Sequence, residues 1–214
     1  MESRTALVAG STGLIGSQLL ELLLAESSYT KVIALSRKPL SISHSKLENI
    51  VVEANDLKKH HELKADDVFC CLGTTIKQAK TKEAFSKVDF DYPLKLANIL
   101  KANGASQYHL ISALGADRSS SIFYNQVKGK VEEAIGAVGF DSFHIFRPSL
   151  LIGPRKESRA GEDAAKVFYK IFSFLIPIKY KGIESIKVAR AMISFAKENK
   201  HGKFIHESVE LQRF

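Results

Sequence analysis

The stretch Gly10-Ser11-Thr12-Gly13-Leu14-Ile15-Gly16 decides the fold of this 214-residue chain, because it joins a strand pattern to a helix pattern. It directly follows the apolar run 5–9 and opens the helix-period segment 14–25. The first glycine permits a tight turn, the second lets a phosphate approach the backbone, and the third lets the helix pack against the strand. The N–H groups and the positive dipole end of such a helix attract phosphates. Glycines also occur at ordinary strand-to-helix turns, but this combination predicts a dinucleotide-binding site.

Strand-like apolar runs alternate with helix-period segments along most of the chain, which is typical of βαβ units in a parallel sheet. The predicted strands are residues 5–9, 31–35, 49–52, 67–72, 107–111 and 142–146, and the predicted helices are residues 14–25, 81–102 and 120–138. Beyond Pro148 the pattern changes to an apolar segment 164–178, a helix-like segment 186–198 and a strand-like segment 203–211. We therefore expect an α/β protein with a doubly wound parallel sheet. A single domain would span residues 1–214, with residues 154–214 as a small substrate-side extension.

The composition excludes several classes of protein. Hydrophobic residues make up 45% of the chain and charged residues 25%, which is typical of globular rather than disordered or fibrous proteins. The net charge of +8 suits an anionic partner, but the basic residues are dispersed and form no nucleic-acid-binding motif, so we expect no nucleic-acid partner. No run reaches the roughly 18 apolar residues of a membrane span, and no apolar signal region opens the chain. We expect no stable membrane insertion and a cytoplasmic location.

The cysteines and the paired histidines do not indicate a metal site. Cys70 and Cys71 are adjacent, which is too close for the spaced ligand pairs of zinc sites, and their apolar surroundings predict burial in a strand. His60 and His61 have no partner at the spacing of metal ligands. We therefore expect no bound metal.

The end of the second predicted strand indicates which dinucleotide binds. An NAD site usually presents a carboxylate there to the ribose hydroxyls, whereas this chain has Leu35-Ser36-Arg37-Lys38-Pro39. The guanidinium of Arg37 and the ammonium of Lys38 would attract the 2′-phosphate of NADP. Both charges could instead belong to a solvated loop. We expect NADP(H) as the cofactor, with NAD(H) less favoured.

A tyrosine, a lysine and a serine are candidates for acid–base chemistry. Tyr124 and Lys128 are four residues apart in a predicted helix, and therefore lie on one face, one turn apart. A tyrosine hydroxyl has a pKa of about 10, so it needs a nearby cation to exchange a proton near neutral pH. Ser112 follows the fifth predicted strand, at the edge where open α/β sheets place ligands. Taken alone, the pair could be a half-buried aromatic residue beside a surface lysine.

Longer motifs extend this pattern over nearly the whole chain and resemble one family. They are Cys70 to Thr75, Val88-Asp89 with Asp91-Tyr92, Ser112 to Asp117, Phe123 to Gly129 and the seven-residue glycine loop. Together they are similar to the atypical short-chain dehydrogenase/reductases of the Tat-interacting protein group. The resemblance implies a Rossmann fold that binds NADPH. It further implies that Tyr124 exchanges a proton with the substrate oxygen, that Ser112 orients Tyr124, and that Lys128 stabilises the phenolate and binds a ribose hydroxyl.

The same resemblance implies further cofactor contacts along the edge of the sheet. Asp56 and Leu57 would lie near the adenine, Cys71, Leu72, Gly73 and Thr74 along the ribose and phosphates, and Pro148 and Leu150 beside the nicotinamide. Pro148 and Leu150 belong to Arg147 to Gly153, which resembles the R-P-x-x-x-x-G segment of extended and atypical members.

Three interpretations of the function remain open from the sequence. The first is an oxidoreductase acting on a carbonyl or alcohol of unknown identity. The second is a non-catalytic NADPH-binding redox sensor or regulatory protein, with a homodimer or another protein as partner. The third is a nucleoside-diphosphate-sugar epimerase-like enzyme, for which only about 60 residues after Pro148 would hold the sugar. The apolar segment 164–178 could form a flap over the pocket, a subunit contact or a basic amphipathic helix on a membrane.

Overall fold

The computed structural model describes residues 3–154 and 177–214, and its central feature is a seven-stranded parallel sheet. The strands are β1 (Arg4–Ala9), β2 (Tyr29–Ser36), β3 (Leu47–Val51), β4 (Asp67–Cys70), β5 (Gln107–Ile111), β6 (Ser142–Arg147), β7 (Leu151–Ile152), β8 (Ile183–Glu184) and β9 (Gly202–Glu207). The large sheet has the order β3-β2-β1-β4-β5-β6-β9, whereas β7 and β8 pair separately. This order confirms the predicted doubly wound sheet, since the direction of strand addition reverses between β1 and β4.

Helices cover both faces of this sheet. They are α1 (Leu14–Ala25), α2 (Ile76–Ala79), α3 (Lys82–Ser86), α4 (Tyr92–Ala102), α5 (Phe123–Gly136), α6 (Ser185–Glu198) and α7 (Ser208–Leu211). One core lies between the sheet and the pair α1 and α6, and the other lies between the sheet and the pair α4 and α5. Because both faces are covered, the central strands are almost fully buried and consist of nearly continuous apolar runs.

The predicted helix over residues 81–102 is confirmed in extent, but it is not α-helical throughout. The chain forms α3, then a π-helical turn at Lys87–Asp91, and then α4. Pro93 explains the π-helical turn, because it has no N–H to donate to the carbonyl of Asp89 and its ring crowds that carbonyl. The widened turn leaves Asp89 buried under the sheet edge, which matters for the site described below.

Two other predicted boundaries also change. The strand predicted over residues 203–211 ends at Glu207, and the chain continues as α7, whose buried residues Ser208 and Leu211 have helical spacing. The helix predicted to begin at Ser120 begins at Phe123, because the Ser120 hydroxyl accepts a hydrogen bond from the Ile122 N–H in a turn before the helix.

The segment predicted over residues 164–178 lies outside the described residues, except for its last two positions. No helix within the described ranges combines the length and apolar character that a membrane span requires.

Candidate functional site

The loops that follow β1 and β4 meet where the strand order reverses, which is the usual ligand position in open α/β sheets. Gly10 has a φ of +81°, and a Cβ there would lie 2.6 Å from the carbonyl oxygen of Cys71. A Cβ at Gly16 would lie 2.1 Å from the carbonyl oxygen of Gly10. The first and third glycines of the loop are therefore required by close backbone approach.

The beginning of α1 is open to an anion. The N-cap is Gly13, no side chain caps the helix, and its first turn has no acidic residue. Thr12 and Gly13 are exposed, whereas Ser11 is buried and donates a hydrogen bond to the carbonyl of Leu35 at the end of β2. Such an uncapped helix start presents unpaired N–H groups to a phosphate.

The remaining apolar positions of the glycine loop support the fold more than the ligand. Ile15 is buried in the core shared with α6, and Leu14 is half-buried beside it. The Ile15 side chain therefore anchors α1, so Ile15 can contact a cofactor only through its backbone.

Arg37 and Lys38 are exposed at the carboxyl end of β2, on a loop that hydrogen bonds fix in place. The Asn49 side chain donates to Ser36 Oγ over 2.8 Å and accepts from the Leu40 N–H over 2.9 Å. Ser36 in turn donates to the carbonyl of Lys38 over 2.7 Å. Within residues 3–154 and 177–214, neither cation forms an ion pair.

The predicted adenine contacts lie on a short 3₁₀ helix at Ala54–His60. Asp56 is half-buried and pairs with Lys59 over 2.9 Å. Leu57 is only 4% exposed and packs in the core with α4, so its predicted contact with the cofactor would be made through its backbone.

The loop after β4 carries the four residues predicted along the ribose and phosphates. Cys71, Leu72 and Thr74 are half-buried, and Gly73 is exposed. The Thr74 N–H donates to Asp89 Oδ2 over 2.8 Å, which ties this loop to the π-helical turn.

Lys128 is buried at the centre of the site, one turn of α5 beyond Tyr124. Its ammonium lies 2.8 Å from Asp89 Oδ1 and donates to the carbonyl of Ile111 over 3.4 Å. Burial opposes the charged form, but the negative charge of Asp89 and the interaction with Tyr124 outweigh it, so the pKa of Lys128 is raised. The site therefore favours a charged lysine one helical turn from the tyrosine.

Tyr124 lies in a cleft of about 290 Å³ at the carboxyl edge of the sheet. The cleft is lined by Ala113, Leu114, Tyr124, Pro148, Ser149, Leu150 and Tyr180. The Tyr124 ring also contacts the ring of buried Phe85, with centroids 5.6 Å apart. The structure thus brings Pro148 and Leu150 to the same cleft as the predicted proton donor.

Ser112 differs from its expected role. Its hydroxyl is buried and donates a hydrogen bond to Glu132, rather than to Tyr124. Glu132 also accepts two hydrogen bonds from Arg147, at 3.0 and 2.6 Å. A buried carboxylate is a strong acceptor, so it competes effectively for the serine hydroxyl.

Two acidic residues of this site were given no chemical role by the sequence analysis. Asp89 lies in the segment predicted as a regular helix, and Glu132 lies one turn beyond Lys128. The sequence signal for these two residues was weak. Asp89 is an acidic residue inside an apolar helical stretch, and Glu132 lies on the same helix face as the candidate catalytic lysine. Within the described part of the chain, no cluster of histidine, cysteine and acidic side chains is arranged to hold a metal ion.

The sequence is similar to several named proteins. Protein HTATIP2 of Rattus norvegicus is 38% identical over 174 residues, covering 79% of this chain and 72% of that protein. "Protein FMP52-1, mitochondrial" of Scheffersomyces stipitis is 32% identical over 201 residues, covering 91% of this chain and 89% of that protein. These names contradict the expected cytoplasmic location, because this fungal relative and others are named as mitochondrial proteins. That expectation rested on default reasoning from a chain start without an apolar signal, and it is wrong.

Solved structures and a family match agree with the fold. The Bordetella bronchiseptica enzyme WbmH in complex with NAD⁺ superposes with a TM-score of 0.75 at 18% identity, covering 97% of this chain and 76% of that chain. MoeE5, in complex with UDP-glucose and NAD, superposes with a TM-score of 0.73 at 18% identity, covering 94% of this chain and 74% of that chain. Residues 10–199 match the family described as NAD(P)H-binding. The chain therefore belongs to the NAD(P)H-binding family, in the atypical short-chain dehydrogenase/reductase group with the HTATIP2 and FMP52 proteins.

Proposed function

We propose that this protein is an NADP(H)-dependent oxidoreductase that interconverts a carbonyl and an alcohol, with Tyr124 as the acid–base group. The observation that carries the proposal is the buried ammonium of Lys128, one helical turn from a tyrosine in an open cleft. A cation in this position stabilises the phenolate that forms when Tyr124 donates its proton.

The residues of the sheet edge fit a dinucleotide phosphate. The glycine turn, the uncapped start of α1 and the exposed Arg37 and Lys38 provide N–H groups and cations where its phosphates would lie. When bound, the reduced nicotinamide supplies a hydride to the carbonyl carbon. Tyr124 then donates its hydroxyl proton to the carbonyl oxygen, and Lys128 stabilises the phenolate that remains. Lys128 has three N–H groups, and its partners Asp89 and Ile111 leave one for a ribose hydroxyl.

The lining of the cleft favours an uncharged carbonyl compound. Among the described residues, the cleft is lined by apolar and aromatic side chains together with Ser149, and by no charged one. A nucleotide sugar needs cations for its diphosphate, so the epimerase-like alternative has less support from these residues.

Cofactor specificity is tested by fluorescence titration of NADPH and NADH against wild type and Arg37→Ala. We expect NADPH to bind more tightly, and the substitution to weaken NADPH about tenfold or more while leaving NADH nearly unchanged. Arg190→Ala, which removes an exposed positive charge on α6, controls for net charge. Equal affinity of wild type for the two cofactors would overturn the assignment of the 2′-phosphate.

Catalysis is tested by screening aldehydes and ketones for NADPH oxidation. Tyr124→Phe should lower kcat/KM by at least a hundredfold and leave NADPH affinity within a few-fold, because it removes only the hydroxyl group that carries the transferred proton. Full activity in Tyr124→Phe would exclude Tyr124 as the proton donor.

The second candidate is a regulatory NADPH-binding protein without turnover. The Ser112–Glu132 hydrogen bond favours it, because the serine does not assist Tyr124 in this arrangement. NADPH binding without oxidation by any carbonyl compound, even at high enzyme concentration, would support this alternative. The names of the fungal relatives also suggest a mitochondrial location for this chain, which fractionation of cells expressing it would test.

A further inference from the structure

Asp89 joins two parts of the site that come from distant segments of the chain. It is 1% exposed, and its two oxygens have different partners: Oδ1 lies 2.8 Å from Lys128 Nζ, and Oδ2 accepts from the Thr74 N–H over 2.8 Å. Lys128 belongs to the acid–base pair, and Thr74 belongs to the loop predicted along the ribose and phosphates. The carboxylate of Asp89 therefore holds both the ammonium of Lys128 and the backbone of Thr74.

The two contacts require a carboxylate. Both partners are hydrogen-bond donors, and only an ionised carboxyl group offers acceptor oxygens on both sides. An asparagine would present its NH₂ group to one of the donors, leaving that donor without an acceptor. Gly73 packs against the pair, since a Cβ there would lie 3.4 Å from Asp89 Oδ1 and 3.8 Å from Lys128 Nζ. The loop that carries Gly73 therefore packs closely against the ion pair between Asp89 and Lys128.

The charge of Asp89 also acts on Tyr124. The titratable groups that interact with the Lys128 ammonium are Asp89, Tyr124 and, more weakly, Cys70. Asp89 partly neutralises the cation that would stabilise the phenolate, while it keeps this buried lysine protonated. Its removal would lower the pKa of Lys128.

We propose that Asp89 is the positioning residue of this site, which fixes the Lys128 ammonium and the Gly73–Thr74 backbone as one unit and limits the charge that reaches Tyr124. The inference deepens the proposed oxidoreductase function and rests on it for its catalytic consequence. Its structural consequence, a link between the lysine and the cofactor loop, is independent of turnover.

The catalytic consequence is tested by the pH dependence of kcat/KM in the direction of carbonyl reduction. Charged Lys128 is needed there to stabilise the phenolate, so activity falls at high pH. In Asp89→Asn this fall should occur about one pH unit or more lower, because Lys128 loses its proton more easily. Asp91→Asn carries the same change two residues away in the same turn and should keep the wild-type profile. A wild-type profile in Asp89→Asn would overturn the proposal.

The structural consequence is tested without turnover. NMR titration of ¹³C-labelled lysine side chains, with Lys128 assigned through Lys128→Met, should show a lower pKa for Lys128 in Asp89→Asn. NADPH affinity in the same variant should fall about tenfold, because the Thr74 loop loses its anchor. Asp89→Glu retains the charge but not the spacing, so it should keep the raised pKa of Lys128 and still bind NADPH more weakly.

These outcomes separate the two hypotheses. If wild type never oxidises NADPH, the proposed function fails, while the lysine titration and the affinities still decide the role of Asp89. If Asp89→Asn leaves both the pKa of Lys128 and the affinity for NADPH unchanged, the inference is overturned, whether or not the protein is active. If Asp89→Asn does not fold, Asp89→Glu decides, because wild-type NADPH affinity there would contradict the required spacing.

Discussion

At Gly16 a single methyl group would enter space that the backbone of the glycine loop already fills. The carbonyl oxygen of Gly10 lies 2.1 Å from the position of a Cβ, and backbone cannot move away as a flexible side chain can. We expect Gly16→Ala to destabilise the protein by roughly 1–3 kcal/mol and to weaken NADPH binding more than tenfold, since the turn must shift. Urea unfolding and fluorescence titration measure the two effects.

The matched control for this substitution is Gly136→Ala, at the end of α5. A Cβ at Gly136 would meet first the mobile tip of Lys203, 3.4 Å away. Alanine is favoured over glycine in a helix by roughly 0.5–1 kcal/mol, so this variant should be as stable as wild type or more so. Equal stability losses in the two variants would show that close approach to Gly10 is not the cause.

At the scale of elements, the sequence predicts what depends on local pattern. The βαβ alternation and the loop from Gly10 to Gly16 are sufficient for the sheet and its ligand-binding edge, because burial on both faces produces apolar strands. The helix over residues 81–102 was predicted without its π-helical turn, because the effect of Pro93 on the preceding turn is weaker in the pattern than the helical period around it. β7 and β8 have two residues each, which is too short for any periodicity.

The polar contacts of the site were predicted less completely than its elements. Tyr124, Lys128 and Arg37 could be proposed because their spacing or position at a strand end has meaning by itself. The partners of Lys128 and Ser112 could not, because Asp89 and Glu132 lie 39 and 20 residues away in the chain and meet them only after packing. The predicted roles of the site residues remain predictions until the variants above are measured.

At the scale of the whole molecule, a row of buried histidines links three neighbouring strands beneath α6. His109 stacks between Phe69 and His144, with ring centroids 4.7 and 4.9 Å away, and His144 Nδ1 lies 2.9 Å from His206 Nε2. Burial and the neighbouring histidines lower the pKa of His109 well below its ordinary value, and burial lowers that of His144 to about 4. These rings stay neutral in the folded protein at pH values where the unfolded chain takes up protons.

Acid should therefore destabilise the protein through His109. A histidine whose pKa is lowered by folding binds more protons in the unfolded state, so its contribution to stability is lost as pH falls below about 6.5. His109→Phe removes this effect and keeps the stacked ring. Because neither ring nitrogen of His109 has a hydrogen-bond partner among the described residues, the variant should fold as well as wild type at pH 7.5.

The measurement is urea unfolding of wild type and His109→Phe from pH 7.5 to pH 5. The stability difference in favour of the variant should grow by roughly 2 kcal/mol, which is the free energy of protonating an unfolded histidine 1.5 pH units below its pKa. Asp67 opposes this trend in both proteins, because burial raises its pKa to about 6, and its effect cancels in the difference. His201→Phe, at an exposed position, should leave the pH dependence unchanged. Parallel curves for wild type and His109→Phe would show that His109 takes up its proton as readily in the folded protein as in the unfolded chain.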